Sequence, residues 1–324
     1  MNLLCVQKLR ISYSDGKGNR TAVVRGIDLH IAAGEIVGIL GESGSGKSTL
    51  ALSILRLLPV SAAVEGSIRF QDENLMTLPA EALRRLRGDQ IAFIFQDAGA
   101  ALNPVIPVGR QVEEVIRAHR SWSHDRVREQ AKKSLEQVGV DFSIGEAYPH
   151  QLSGGQLQRV QIAQALSCEP ALIIADEPAS GLDAPAQAGI LEMIVRRTKA
   201  ALLVITHQPS SLRVLSIGAA MLRGLPTRVL VMYAGQVVET GALDQLETSA
   251  LHPYTQALLS CSKPCGRPGQ RQKLPAIEGQ PASFSRLSRG CAFEPRCSRR
   301  LPVCAEREPQ SSHHAGEEIR CFLV

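Results

Sequence analysis

The chain has 324 residues, 44% of them hydrophobic, 21% charged and 4% aromatic, with a net charge of +5. That length and apolar fraction supply a sizeable core for one large or two modest domains. The longest apolar candidate, 215–235, is interrupted by Arg223, Pro226 and Arg228, so no membrane-spanning helix is predicted. The N-terminal residues lack a signal-peptide pattern, and the chain reads as cytosolic.

Charge and cysteine are unevenly placed. Residues 262–324 hold 11 Lys/Arg and 6 Asp/Glu, while the remainder balances at 25 of each sign. Six of the eight cysteines lie after position 260. Disulfides are rare in the cytosol, so clustered cysteines there suggest a metal or redox site. A basic tail is most simply a solvated surface, or one facing anionic lipid or an acidic partner.

In chain order, Ile36–Leu40 is a short apolar run closed by Gly41, which predicts a buried strand. A glycine-rich turn follows, then a helix from Ser48 through Leu55, ending near Pro59. The region from Gln96 to Leu166 is mostly helical in pattern; Val127 to Val138 is amphipathic and Gly139 is its stop. Two further apolar runs, 171–175 and 201–205, predict buried strands. Strands alternating with helices predict an α/β fold with a largely parallel sheet. The Pro/Gly/Arg-rich stretch 263–272 reads as a linker. No repeat of solenoid period is present. These features divide the chain into a core at 1–248, with a helical subdomain at about 97–166, and an extension at 249–324.

Gly41-Glu42-Ser43-Gly44-Ser45-Gly46-Lys47-Ser48 matches G-x-x-x-x-G-K-[ST] between a predicted strand and a predicted helix, the context that a phosphate-binding loop requires. Glycines let backbone N–H groups converge on phosphate oxygens, and the helix N-terminus adds favourable partial charge. Lys47 reaches the β- and γ-phosphates and Ser48 offers a hydroxyl to Mg²⁺. These eight residues and the adjoining Thr49 are the candidate ATP contacts.

Leu152-Ser153-Gly154-Gly155-Gln156 precedes the apolar run 171–175, which ends in Asp176-Glu177. In this order the motifs resemble those of the ABC ATPases, over the region up to about residue 248. The resemblance implies a P-loop NTPase core with a RecA-like parallel sheet, an antiparallel β subdomain and a helical signature subdomain. It also implies a composite site, in which the phosphate loop of one subunit and Ser153, Gly154, Gly155 and Gln156 of another enclose one ATP. Asp176 would orient Mg²⁺ with Ser48 and Gln96. Glu177 would polarise the attacking water. His207 matches the switch histidine that contacts the γ-phosphate, and Asp183, in Ser180-Gly181-Leu182-Asp183, matches the loop that crosses the dimer interface. Tyr13 is similar in place to the aromatic that stacks on adenine; a strand-end aromatic is as often simple packing.

Ala147-Tyr148-Pro149-His150-Gln151, Val231-Met232-Tyr233-Ala234-Gly235 and His252-Pro253-Tyr254-Thr255-Gln256-Ala257-Leu258 look like segments of the oligopeptide/dipeptide/nickel importer ATPases. His252 is better explained by capping or packing at a helix start than by metal ligation. Cys291, Cys297, Cys304 and Cys321 form C-x5-C-x6-C-x16-C. Four thiolates suit a [4Fe–4S] cluster or tetrahedral Zn²⁺, and the resemblance implies the iron–sulfur cluster; the spacing is also open to four unliganded thiols. Arg289, Arg296, Arg299, Arg300 and Arg320 would offset the charge of an anionic cluster.

The resemblance implies a peripheral ATPase on the cytoplasmic face of the inner membrane. Its partners would be a second ABC ATPase subunit (a paralogue), two membrane permease subunits and an extracytoplasmic solute-binding protein, with no nucleic acid. A soluble non-transport ABC ATPase is the alternative. A single motif set and the lack of a long coiled-coil insertion argue against the ribosome- and DNA-acting types, and intact Glu177 and His207 argue against a purely regulatory one. The sequence departs from the family at Gln208, where Asp is usual, and at Gly181. It also carries an apparent insertion at 211–227, whose effect on the strand or helix after His207 the sequence leaves open.

Overall fold

The fold was analysed in a computed structural model that describes residues 2–16, 18–224, 227–262, 275–314 and 317–324. The expected linker at 263–272 lies outside the described residues. The strands are β1 (Asn2–Ser14), β2 (Arg20–Ala32), β3 (Ile36–Leu40), β4 (Ala62–Phe70), β5 (Glu73–Asn74), β6 (Ile91–Ile94), β7 (Leu172–Asp176), β8 (Ala201–Thr206), β9 (Arg228–Tyr233), β10 (Gln236–Ala242), β11 (Ser312–His314) and β12 (Glu317–Ile319). The helices are α1 (Lys47–Ile54), α2 (Ala80–Leu86), α3 (Ala98–Ala101), α4 (Val108–His119), α5 (His124–Gln137), α6 (Gly154–Leu166), α7 (Ala184–Arg197), α8 (Pro209–Arg223), α9 (Leu243–Ser249), α10 (Pro253–Ser260) and α11 (Val303–Glu306).

Among the described residues, two sheets carry the fold. The antiparallel one has the order β2-β1-β4-β5, and the larger one the order β11-β12-β10-β9-β3-β8-β7-β6. Strands β9, β3, β8, β7 and β6 are mutually parallel. Their apolar runs are explained by burial on both faces. Ile36, Leu40, Ile173, Ala175, Leu202 and Val204 face the helical side. Val37, Ile39, Leu172, Ile174, Leu203 and Ile205 face α1 and the antiparallel sheet. Burying each larger aliphatic side chain contributes about 1.5–3 kcal/mol. At Gly38 a Cβ would lie 2.7 Å from Leu212 Cδ2, so a larger residue there would have to displace that buried side chain.

The helical region between Gln96 and Leu166 forms as its pattern predicts. Val108, Val112 and Ile116 of α4 and Val127, Ala131 and Leu135 of α5 recur every fourth residue and are fully buried, which puts them on one stripe of each helix. Helix α5 starts a turn earlier than the apolar pattern suggests, because the Ser123 side chain caps it by accepting from the Arg126 N–H. Gly139 (φ +73) follows its end, in the left-handed conformation that glycine adopts without strain.

Two findings add to the sequence reading. Residues 209–223 form one uninterrupted helix, α8, and β9 still pairs in register with β3. The described part of the apparent insertion up to Arg223 belongs to this helix, with Leu212, Leu215 and Ala219 buried and Ile217 and Met221 exposed; Gly224 (φ 64) closes it. The C-terminal extension also joins the core sheet. Strand β12 pairs antiparallel with β10, and the Arg320 N–H donates to the Val238 carbonyl.

Candidate functional site

The glycine-rich loop links β3 to α1 at the C-terminal edge of the parallel strands, where open α/β sheets place their ligand sites. Its backbone has no room for side chains at two points. A Cβ on Gly41 would lie 2.3 Å from the Met232 carbonyl oxygen, and one on Gly46 (φ +100) 2.7 Å from that of Val23. Gly46 is the N-cap of α1, so Lys47 and Ser48 begin the helix. The Lys47 ammonium is buried and donates to the carbonyls of Gly41 (2.8 Å) and Glu42 (2.9 Å). Burial lowers its pKa, opposed by the charges of Glu177, Asp176 and Glu42.

Register aligns the strand ends. Leu40 faces Thr206 and Asp176 faces Ile205, so Asp176, Glu177 and His207 converge beside the loop. Burial pushes the Asp176 carboxyl up, and a hydrogen bond from Ser48 opposes the shift. Its Oδ1 is buried with no partner. An orphaned buried carboxylate oxygen beside a serine hydroxyl fits a divalent-cation site. Glu177 has φ +49, a left-handed backbone that costs a non-glycine residue about 1 kcal/mol. The Glu177 N–H donates to the Ile205 carbonyl at 2.9 Å, which anchors this turn. Its Oε1 lies 2.5 Å from His207 Nδ1.

An open cleft runs over the loop. Tyr13, Ser43, Gly44, Lys47, Gln96 and Glu177 are among the residues that line it. Gln96 is also tied to the strand-end turn, since the Ser180 hydroxyl donates to its carbonyl. Ser153, Gly154, Gly155 and Gln156 sit apart, at the N-terminus of α6. There Ser153 and Gln156 form a reciprocal capping box (Gln156 N to Ser153 Oγ 3.3 Å, Ser153 N to Gln156 Oε1 2.9 Å). Asp183 caps α7 by accepting from the Ala186 N–H. Gln208, the departure beside His207, stands at the N-cap of α8.

The sequence did not reveal that the extension reaches this loop. The Glu42 N–H donates to the buried Tyr254 hydroxyl (2.8 Å). The Glu42 carboxylate accepts two bonds from Arg296, at 2.6 and 3.0 Å. Arg296 therefore serves the phosphate loop and not the thiols. Arg300 pairs with Glu294, while the Arg299 charge lowers the Cys321 thiol's pKa against the larger effect of burial. His252 behaves as a helix-start residue, its Nδ1 accepting from the Tyr254 N–H. The apolar character of Tyr254 and the exposed look of Arg296 in a basic tail gave no signal for either contact.

The four cysteines share one neighbourhood. Cys291 donates its N–H to the Cys304 carbonyl. Burial pushes the Cys291 thiol up to about 11 and raises that of Cys321. The Cys304 sulfur accepts from the Leu301 N–H. Among the described residues, no group of three or more His, Cys, Asp or Glu side chains is arranged to hold a metal ion. The geometry thus does not support the expected iron–sulfur or zinc site, and no step is assigned to one.

Comparison with known proteins agrees with this geometry. A family model described as ABC transporter matches residues 24–180, and one described as oligopeptide/dipeptide transporter, C-terminal region, matches 238–304. The oligopeptide transport ATP-binding protein AppD of Bacillus subtilis is 39% identical, over 99% of this chain and 96% of its own length. The dipeptide transport ATP-binding protein DppD of Haemophilus influenzae is 38% identical over 99% and 95%. The oligopeptide transport ATP-binding protein OppD of Escherichia coli is 36% identical over 99% and 93%. Among solved structures, the dimeric ATP-binding cassette MJ0796 bound to ADP and Pi superposes with a TM-score of 0.63 at 28% identity, covering 74% of this chain and 98% of that one. Fold and site thus define an ATP-hydrolysing cassette that uses ATP and Mg²⁺. More narrowly, the chain belongs to the family of ATP-binding subunits of oligopeptide/dipeptide ABC transporters.

Proposed function

We propose that this chain powers uptake of oligopeptides, dipeptides or a similar small solute such as nickel. It would do so as one of two ATPase subunits, the other a paralogue, docked on two membrane permeases served by an extracytoplasmic binding protein. Among the described residues no helix is long and apolar enough to cross a membrane, which suits a peripheral subunit on the cytoplasmic face. The core would span 1–248, with its helical subdomain at about 97–166, and the extension 249–324. The observation that carries the catalytic reading is the Glu177–His207 contact of 2.5 Å beside the buried Lys47 and Asp176.

In this reading, Gly41 to Thr49 hold the phosphates of ATP through backbone N–H groups and the Lys47 ammonium, and Tyr13 takes the base. Ser48, Asp176 and Gln96 would hold Mg²⁺, which supplies charge neutralisation to the phosphates. Glu177 orients and deprotonates the attacking water. His207 fixes the Glu177 carboxylate and reaches toward the γ-phosphate. Phosphoryl transfer then depends on positioning and electrostatic stabilisation. The exposed α6 N-terminus at Ser153–Gln156, and Asp183, present donors and a turn to the partner subunit's ATP. Hydrolysis removes the γ-phosphate that bridges the two subunits, and Gln96 passes their separation to the helical subdomain.

The test is reconstitution with candidate permease subunits and a solute-binding protein in proteoliposomes. Uptake of a short peptide that requires ATP and this chain is the expected result. Copurification with no membrane protein, together with ATPase activity indifferent to permeases, would remove the transport reading.

A further inference from the structure

We propose that the C-terminal extension completes the nucleotide site, with Phe284 forming part of the wall that receives the base. Phe284 lines the same cleft as Tyr13, Ser43 and Lys47, although it lies some 240 positions from the loop in sequence. It sits in a short 3₁₀ turn, Phe284–Arg286, and is half-buried.

Two anchors bring that turn to the cleft. Arg296, 5% exposed, binds the Glu42 carboxylate on one side. On the other it donates to the carbonyls of Glu278 (2.9 Å) and Ile277 (3.4 Å), in the segment leading to Phe284. Tyr233, at the end of β9, accepts from Arg296 (3.4 Å) and lies beside the backbone of Ala282, two residues before Phe284. Tyr233 also packs with Tyr254 and Phe293, at ring-centroid distances of 4.6 and 5.2 Å. The path 277–284 is therefore fastened to the phosphate loop itself. Segment and loop share one guanidinium, which holds the start of this path beside the phosphate cradle.

The chemistry selects the ligand end. The loop residues Gly41–Ser48 are the polar end of the cleft, and an uncharged aromatic ring has no role against a triphosphate. A purine is a planar π-face, and stacking or edge contact with a phenyl ring is its usual complement. Tyr13 alone leaves the base covered by one aromatic; Phe284 adds a second from a different part of the chain. The inference rests on reading the cleft as an ATP site, and its test keeps the two apart.

The full chain is titrated with MgATP and, separately, with inorganic tripolyphosphate and Mg²⁺, which offers the phosphates without a base. Phe284→Ala is expected to weaken ATP binding about tenfold while leaving tripolyphosphate unchanged, and Phe284→Trp is expected to restore ATP affinity. Equal weakening of both ligands would show that Phe284 only supports the fold. Unchanged ATP affinity in Phe284→Ala would also overturn the proposal. A wild-type chain that binds neither ligand would overturn the nucleotide-site reading, and this inference with it.

Discussion

The pair Glu42–Arg296 joins the phosphate loop to the extension, and its two ends are unequally buried. The Arg296 side chain is 5% exposed and that of Glu42 is 23% exposed. Breaking a buried pair by removing one partner costs about 3–5 kcal/mol, because the other charge is left uncompensated. In Glu42→Gln the guanidinium keeps its bonds to the Ile277 and Glu278 carbonyls and one acceptor on the amide, so the expected cost is the lower end, ~3 kcal/mol. In Arg296→Met the bonds to Glu42, Tyr233, Ile277 and Glu278 are all lost, so the expected cost is the upper end, about 4–5 kcal/mol. Thermal unfolding of the full chain should place Glu42→Gln about 5 °C below wild type and Arg296→Met about 7 °C below. The double variant should lose less than the sum of the two, by at least about 1 kcal/mol. Additive losses would refute the claim that this pair couples extension to loop.

Other outcomes follow from single residues. His252 is buried and its pKa is lowered to about 4 from 6.5 by desolvation. The unfolded chain therefore binds the proton first, so this stability is complete above about pH 6.5 and is lost as pH falls toward 4. The loss at pH 5 is about 2 kcal/mol, and His252→Asn, which can still cap α10, should abolish that part of the pH profile in urea titrations. Asp176→Asn should raise the melting temperature of the nucleotide-free chain by about 1 kcal/mol equivalent, since burial already disfavours its charge, yet lower Mg²⁺-dependent ATPase at least ~100-fold. A less stable variant would contradict this. Gly46→Ala puts a Cβ 2.7 Å from a backbone oxygen at φ +100, so ATP affinity should fall at least ~30-fold, equivalent to about 2 kcal/mol.

Much of the cassette was legible because its signals are local. Buried parallel strands read as unbroken apolar runs, as at Ile36–Leu40 and Leu172–Asp176. The phosphate loop and the capped α6 are contiguous motifs whose residue types follow from backbone geometry. The extension was not legible in the same way. Glu42 and Arg296 stand 254 positions apart, and no periodicity links them, so the arginine looked like a counter-charge for nearby thiols. Phe284 gave no sign of its place in the cleft for the same reason. Strands β11 and β12 are three residues each, with Ile319 their one apolar side chain, too short to show alternation. The left-handed backbone of Glu177 is imposed by the strand-end turn and has no glycine to announce it.

Glu177 is the residue on which the account depends. The decisive measurement compares ATP binding and ATP hydrolysis in wild type and Glu177→Gln. The account predicts retained binding, a stabilised ATP-bound dimer and turnover reduced ~10²–10⁴-fold. Wild-type turnover in that variant would contradict it.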